Sequence, residues 1–82
     1  MTTVRYWAGA RAAAGTATDE LDVATLAEAL EAAVAAHGER LGTVLGVCAF
    51  VVDGDPVGTR PHDGVALAPG SLVDVLPPYA GG

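Results

Sequence analysis

Lysine is missing from this chain altogether, so the only fixed side-chain cations are Arg5, Arg11, Arg40 and Arg60, set against ten acidic residues for a formal charge of −6. With no basic cluster to neutralise phosphates or adhere to anionic lipid, nucleic acid and membrane surfaces are excluded as partners. The electrostatic complement of such a surface is a basic patch on another protein. A single cysteine, Cys48, excludes an internal disulfide and gives no metal-ligand spacing. It has no neighbouring base or cation in sequence and reads as a small core residue rather than a nucleophile. Aromatics are equally scarce, with Tyr6, Trp7, Phe50 and Tyr79 the full set. A domain of this size buries only about 60% of the surface its unfolded chain exposes, which leaves little room for an enclosed active site. There is no Gly-x-x-x-x-Gly-Lys loop or other phosphate-binding signature, so ATP is not expected to be held here. Neither a signal peptide nor an apolar run of membrane-spanning length is present, and the expected location is the cytoplasm.

What the chain does contain is a short series of regular patterns. Thr2 to Ala8 alternates, with Val4, Tyr6 and Ala8 on one side and Thr3, Arg5 and Trp7 on the other, the period of a half-buried strand. Gly9 to Gly15 reads as a loop or single helical turn, and Thr18 to Val23 as a weaker strand with Leu21 and Val23 inward. Thr25-Leu26-Ala27-Glu28 matches a capping box and starts a helix. Leu26, Leu30, Val34 and His37, with Ala27 and Ala33 beside them, predict its buried stripe, and Gly38 its end. His37 falls in the last turn, where an imidazolium interacts favourably with the helix dipole. Glu39 to Gly46 suggests a further turn of helix carrying Leu41, Val44 and Leu45 inward.

Val47 to Val52 predicts a well-buried strand, and Asp53-Gly54 a hairpin turn that Asp55-Pro56 lengthens before a short returning strand at Val57 to Arg60. Pro61 to Ala68 reads as a loop with His62 exposed, and Pro69-Gly70 as a tight turn. Ser71 to Leu76 is the last strand, with Val73 and Val75 on one face and Leu72, Asp74 and Leu76 on the other. One helix covers one face of a sheet, so the fold class is α+β, a two-layer sandwich.

That strand runs into Leu76-Pro77-Pro78-Tyr79-Ala80-Gly81-Gly82. Pro77 and Pro78 donate no ladder hydrogen bonds and fix φ, so they stop the strand and favour an extended course. Gly81 and Gly82 offer no side chains and the least steric hindrance, as entry into a narrow channel requires. The reactive group would then be the α-carboxylate of Gly82. The organisation expected is a domain over residues 1–76 and a flexible Gly-Gly tail over 77–82.

Together these stretches resemble the β-grasp, ubiquitin-like sulfur carriers of the MoaD/ThiS type, particularly the small subunit of molybdopterin synthase. The likeness rests on Val4-Arg5-Tyr6-Trp7-Ala8, the Gly9 to Gly15 loop, the early helix, Val51-Val52-Asp53-Gly54 and, above all, the Pro-Pro-x-Ala-Gly-Gly ending, where Tyr79 departs mildly from the usual valine. It implies a mixed sheet of four to five strands packed on one main helix, with an extended C-terminal tail. It also implies that a ThiF/MoeB-like adenylating enzyme, related to ubiquitin-activating enzymes, uses ATP to adenylate Gly82, and that a sulfur donor then converts the adenylate to a thiocarboxylate. The chain itself would be non-catalytic and bind no cofactor, with ATP used in trans. Gly82 is the acceptor and Gly81 keeps the approach narrow. Leu76, Pro77, Pro78, Tyr79 and Ala80 would enter the partner, and Phe50 or Leu76 would form an exposed docking patch. For molybdopterin synthesis that partner is the synthase large subunit. Three alternatives stand beside this one: carriage of sulfur to thiamine thiazole, cysteine, thiolated RNA or a thio-natural product; conjugation of Gly82 to lysines of other proteins; and an inert interaction domain.

Overall fold

The first and last strands lie side by side at the centre of the sheet. In the computed structural model, which describes residues 1–78, β1 (Thr2–Tyr6) pairs in parallel with β5 (Leu72–Leu76), in a register that sets Val4 against Val73 and Tyr6 against Val75. β2 (Thr18–Leu21) flanks β1, and β3 (Ala49–Val52) with the short edge strand β4 (Asp55–Pro56) flanks β5. The order is β2-β1-β5-β3-β4, antiparallel at every pair but the central one. Three helices accompany it: α1 (Ala8–Ala14), α2 (Leu26–His37) and α3 (Glu39–Leu45). This is the five-stranded form of the expected ubiquitin-like β-grasp fold.

Alternation decides which face is covered. Val4, Tyr6, Val73, Val75 and Phe50 join Leu26, Ala29, Ala33, Leu41 and Leu45 in one core, while Thr3, Arg5, Leu72, Asp74 and Leu76 occupy the half-buried alternate positions. Burying each Val, Leu or Phe side chain contributes roughly 1.5–3 kcal/mol, and each alanine methyl less. Among the described residues, every buried side-chain nitrogen or oxygen has a hydrogen-bond partner, as a small domain with little stability to spare requires.

Local chemistry explains the junctions. Thr25 Oγ1 accepts from the Glu28 amide at 3.2 Å, and the Glu28 carboxylate reaches back to the Ala24 amide at 2.8 Å, one residue beyond the usual partner in a capping box. Gly38, at φ 102°, ends α2 and opens α3. Asp53 and Gly54 both take positive φ, 51° and 83°, between the paired Val52 and Asp55, the requirement of a two-residue type I′ hairpin. The hydrogen bond from the Ser71 amide to Ala68 O closes the Pro69-Gly70 turn.

Several expectations are corrected. Ala8 leaves the strand with φ 48° and begins α1, which turns the stretch read as a loop or single helical turn into a helix of seven residues. Alanines form the centre of the α2 seam: Leu26, Ala29 and Ala33 are buried, while Leu30, Val34 and His37 are only partly so. The hairpin is not lengthened, because Asp55–Pro56 is already the returning strand and residues 57–60 lie outside any strand. Pro56 is tolerated there because β4 is an edge. Only Phe50 is fully buried within β3, and Val47 is 63% exposed. His62 is half-buried in a short 3₁₀ turn, His62–Gly64.

Candidate functional site: the open sheet face and the root of the tail

β5 delivers the chain to Leu76 from the middle of the sheet, held by β1 on one side and β3 on the other. Pro77 and Pro78 follow it and are exposed. The tail therefore starts from a strand fixed on both edges, which gives it a defined origin on a rigid body. Tyr79, Ala80, Gly81 and Gly82, and the flexible tail expected over them, lie outside the described residues.

Beside that root, the face of the sheet opposite the core gathers three polar or amphipathic side chains. The register places Arg5 opposite Asp74, with Val51 on the other side of Asp74 and Ala49 opposite Leu76. Arg5 donates through Nε to Asp74 Oδ1 at 2.6 Å and through its terminal nitrogen to Oδ2 at 3.2 Å. The indole Nε1–H of Trp7 donates to the same Oδ1 at 2.9 Å, and the guanidinium lies 5.1 Å from the centre of the Trp7 ring. The bond from Arg5 holds the Asp74 carboxyl below the usual carboxylate range, with the Trp7 bond acting in the same direction and partial burial opposing it. The same ion pair raises the pKa of Arg5. Trp7 is 43% exposed.

Phe50 is placed differently from the expectation. It is only 7% exposed, part of the core, and meets His62 edge-to-face at 5.1 Å. The expected exposed Phe50 is corrected to a buried one, because its position on β3 faces the helices. It still contributes to the wall of a groove of about 530 Å³, together with Leu45, Cys48, Pro56, His62 and the half-buried Leu76. Burial pushes the Cys48 thiol pKa up, and its Sγ donates to Val44 O at 3.2 Å, which agrees with a structural thiol. Among the described residues no group of three His, Cys, Asp or Glu side chains is placed to hold a metal, and no helix is long and apolar enough to cross a membrane.

The sequence reading missed Arg5, Trp7 and Asp74 as a unit. Alternation put Arg5 and Trp7 on one face of one strand and Asp74 on the outer face of another. Nothing local indicated that those strands pair in parallel across 69 residues of separation.

Comparison with known proteins agrees with this geometry. The chain is similar to small archaeal modifier protein 1 from Methanosarcina acetivorans, at 20% identity and TM-score 0.84, covering 99% of this chain and 95% of that one. The corresponding protein from Haloferax volcanii is 28% identical with TM-score 0.77, covering 99% and 98%. A chain of the complex between subunits 1 and 2 of molybdopterin-converting factor from Helicobacter pylori is 25% identical with TM-score 0.68, covering 99% and 97%. A search of curated proteins finds no match. The ThiS family model matches residues 4–82, which includes the open face, the two prolines and both terminal glycines, and the chain belongs to the ThiS family of small ubiquitin-like sulfur carriers.

Proposed function

We propose that this protein carries sulfur on the carboxyl of Gly82 and delivers it in molybdenum-cofactor synthesis as the small subunit of molybdopterin synthase. One observation carries the reading: a rigid central strand ends at Leu76 and leaves Pro77 and Pro78 exposed, at the root of a segment that the family match includes to residue 82. Such a body presents a backbone terminus to a partner rather than performing chemistry itself.

A carboxylate is a poor acyl donor because its oxygen is a bad leaving group. An adenylating partner joins the Gly82 carboxylate to AMP and releases pyrophosphate. Sulfide then attacks the acyl carbon, AMP departs, and a thiocarboxylate remains. Transfer of that sulfur to a pterin precursor held by the large subunit, with water replacing it, restores the carboxylate. The likeness to a subunit of a two-subunit molybdopterin-converting factor supports a large-subunit partner of this kind. Gly81 and Ala80 keep the approach narrow, while Tyr79, Pro78, Pro77 and Leu76 occupy the mouth of the partner's channel, and the groove bordered by Phe50 lies beside it.

The second reading, a protein modifier, has its own support in the likeness to two archaeal modifier proteins. It uses the same activated Gly82 but gives the acyl group to a lysine amine of a target. Intact mass decides between the two. Incubation with the adenylating enzyme of the same organism, ATP and sulfide is expected to add about 16 Da, oxygen replaced by sulfur at the activated acyl carbon, and deletion of Gly82 is expected to abolish the gain. No gain with a competent enzyme, together with Gly82 recovered on lysines of other proteins, would replace carriage by conjugation.

A further inference from the structure

Of the two edges of the sheet, one is closed and one is open. At β4 the register turns the backbone of Pro56 away from β3. Pro56 has no N–H to offer there, and its carbonyl accepts from the Arg60 guanidinium at 2.9 Å, while Arg60 Nε donates to Val57 O at 3.0 Å. At the other end of the sheet, no strand among the described residues pairs with the outer side of β2. We propose that this outer edge is a strand-addition site for an extended, basic segment of another protein, one that alternates arginine or lysine with apolar residues. The inference does not depend on what Gly82 carries.

The hydrogen-bond pattern fixes which groups face outward. The Tyr6 amide donates to Ala17 O at 2.8 Å, and the pairing continues with Val4 against Asp19 and Thr2 against Leu21. Opposed residues in an antiparallel pair alternate between those that exchange hydrogen bonds and those that do not. Ala17, Asp19 and Leu21 therefore direct their backbone groups at β1, and Thr18 and Glu20 direct theirs away from it. The far side of β1 agrees, because there it is Thr3 and Trp7 whose amides donate across the other edge, to Ser71 O and Val75 O. The Thr18 carbonyl accepts from Thr16 Oγ1 at 3.2 Å, which leaves the Thr18 amide and both backbone groups of Glu20 facing outward on exposed residues. Such a row is a template for another strand. Main-chain bonds hold the added segment, and its alternate side chains decide which segment fits.

Charge identifies the occupant. Side chains directly opposite each other share a face of the sheet. A residue opposite Glu20 therefore joins it on the open face, where Thr3 Oγ1 donates to Glu20 Oε2 at 2.7 Å. The next residue along falls on the other face, beside the half-buried Leu21. On that face the Asp19 carboxylate is already engaged by Tyr6 and His37. Glu20, and Asp22 just past the strand, form no ion pair among the described residues. A basic side chain opposite Glu20, flanked by apolar ones, is their complement. The same carboxylates exclude a second copy of this chain. Outward residues pair only with outward ones, so two β2 strands overlapping over most of their length set either Asp19 against Asp19 or Glu20 against Glu20 at the two-fold axis. Like charges directly opposite destabilise a strand pair, and a chain without lysine and with net charge −6 brings little to offset them.

The test is amide exchange on the full chain, followed residue by residue by NMR, with a blocked hexapeptide that alternates arginine and valine as the probe. A control peptide carries glutamate in place of each arginine. The arginine peptide is expected to slow exchange at the Thr18 and Glu20 amides at least about fivefold, and at Asp19 and Leu21, which already face β1, less than about twofold. Binding should weaken as salt rises, and Glu20→Arg should weaken it roughly three- to tenfold. Thr18→Pro removes an outward N–H without touching the ladder to β1, a change that edge strands tolerate, and is expected to abolish the slowing at Glu20. Thermal melts check that each variant folds; should Thr18→Pro fail to fold, Glu20→Arg carries the test. No slowing at β2, or slowing confined to another surface, overturns the proposal. Equal binding of the glutamate peptide overturns the basic occupant. Slowing at Thr18 and Glu20 that grows with protein concentration in the absence of peptide gives the edge to a second copy and overturns it as well.

Discussion

Tyr6 is 1% exposed, and its hydroxyl donates to Asp19 Oδ2 at 2.7 Å, the same oxygen that His37 Nε2 approaches at 2.6 Å. The three side chains tie β1, β2 and the last turn of α2 together, with the Tyr6 and His37 rings edge-to-face at 6.1 Å. Burial first, and the bond to Asp19 second, raise the Tyr6 pKa well above its ordinary 10.0. The folded protein therefore holds this proton more tightly than the unfolded chain. The stabilisation is complete below the unfolded value of 10.0 and is lost as pH rises towards the folded one. Tyr6→Phe should cost about 0.5–1.5 kcal/mol at neutral pH through the lost hydrogen bond. It should also flatten the decline in stability above about pH 10, as urea midpoints of the two proteins at each pH will register. A decline of equal slope in both would assign the alkaline sensitivity to another group. The sequence placed His37 at a helix terminus, where it is, but not beside Asp19, because 18 residues separate them and only the folded sheet brings them together.

At the scale of elements, legibility followed how local the cause is. The Thr25 cap, the Asp53-Gly54 turn, the Pro69-Gly70 turn and the alternation of β1 and β5 are set by residues next to one another, and all were readable. α1 was readable only as a loop or single helical turn, since its Ala-Gly-Ala-Arg-Ala-Ala-Ala composition has no stripe to count. The rotation of α2 was misread for a related reason. Hydrophobicity favours Leu30 and Val34 at the centre, but closeness to the sheet favours alanine, so Leu26, Ala29 and Ala33 take the seam at 0% exposure. Leu30 and Val34 line a cleft shared with α3 instead, and Gly42 admits Val34 there: a Cβ at Gly42 would lie 3.4 Å from Val34 Cγ2. Ala33→Leu adds volume where none is free and should destabilise by about 1–3 kcal/mol. Ala36→Leu, at an exposed position of the same helix, should stay within about 0.5 kcal/mol of the parent. Chemical denaturation of the pair settles the orientation, and equal effects would mean that the seam faces elsewhere.

On the carrier reading, the whole molecule divides its work between a folded body and a terminus that reacts. The terminus was legible as a motif because Pro-Pro-x-Ala-Gly-Gly is contiguous, whereas the open face joins Arg5 and Trp7 of one end of the chain to Asp74 of the other and exists only after β1 and β5 pair. Separating the two functions gives a definite outcome. One residue appended after Gly82 moves the reactive carboxyl about 3.5 Å further along an extended chain and puts a side chain, or at least a different carboxylate, where the activating site expects a glycine. The open face and core are untouched, so the melting temperature should not change. Activation should be lost, with no gain of about 16 Da after incubation with ATP, sulfide and the adenylating enzyme. Because the folded body is intact, the extended chain should compete with the parent, inhibiting pyrophosphate exchange with an inhibition constant within roughly threefold of the parent's KM, since ground-state binding is nearly preserved while the chemical step is blocked. An extended chain that neither reacts nor inhibits would show that recognition depends on the terminus, and the body would be reduced to a spacer. One that still gains sulfur would show that the partner does not measure the position of Gly82, and the narrow-channel account of Gly81 and Gly82 would have to be given up.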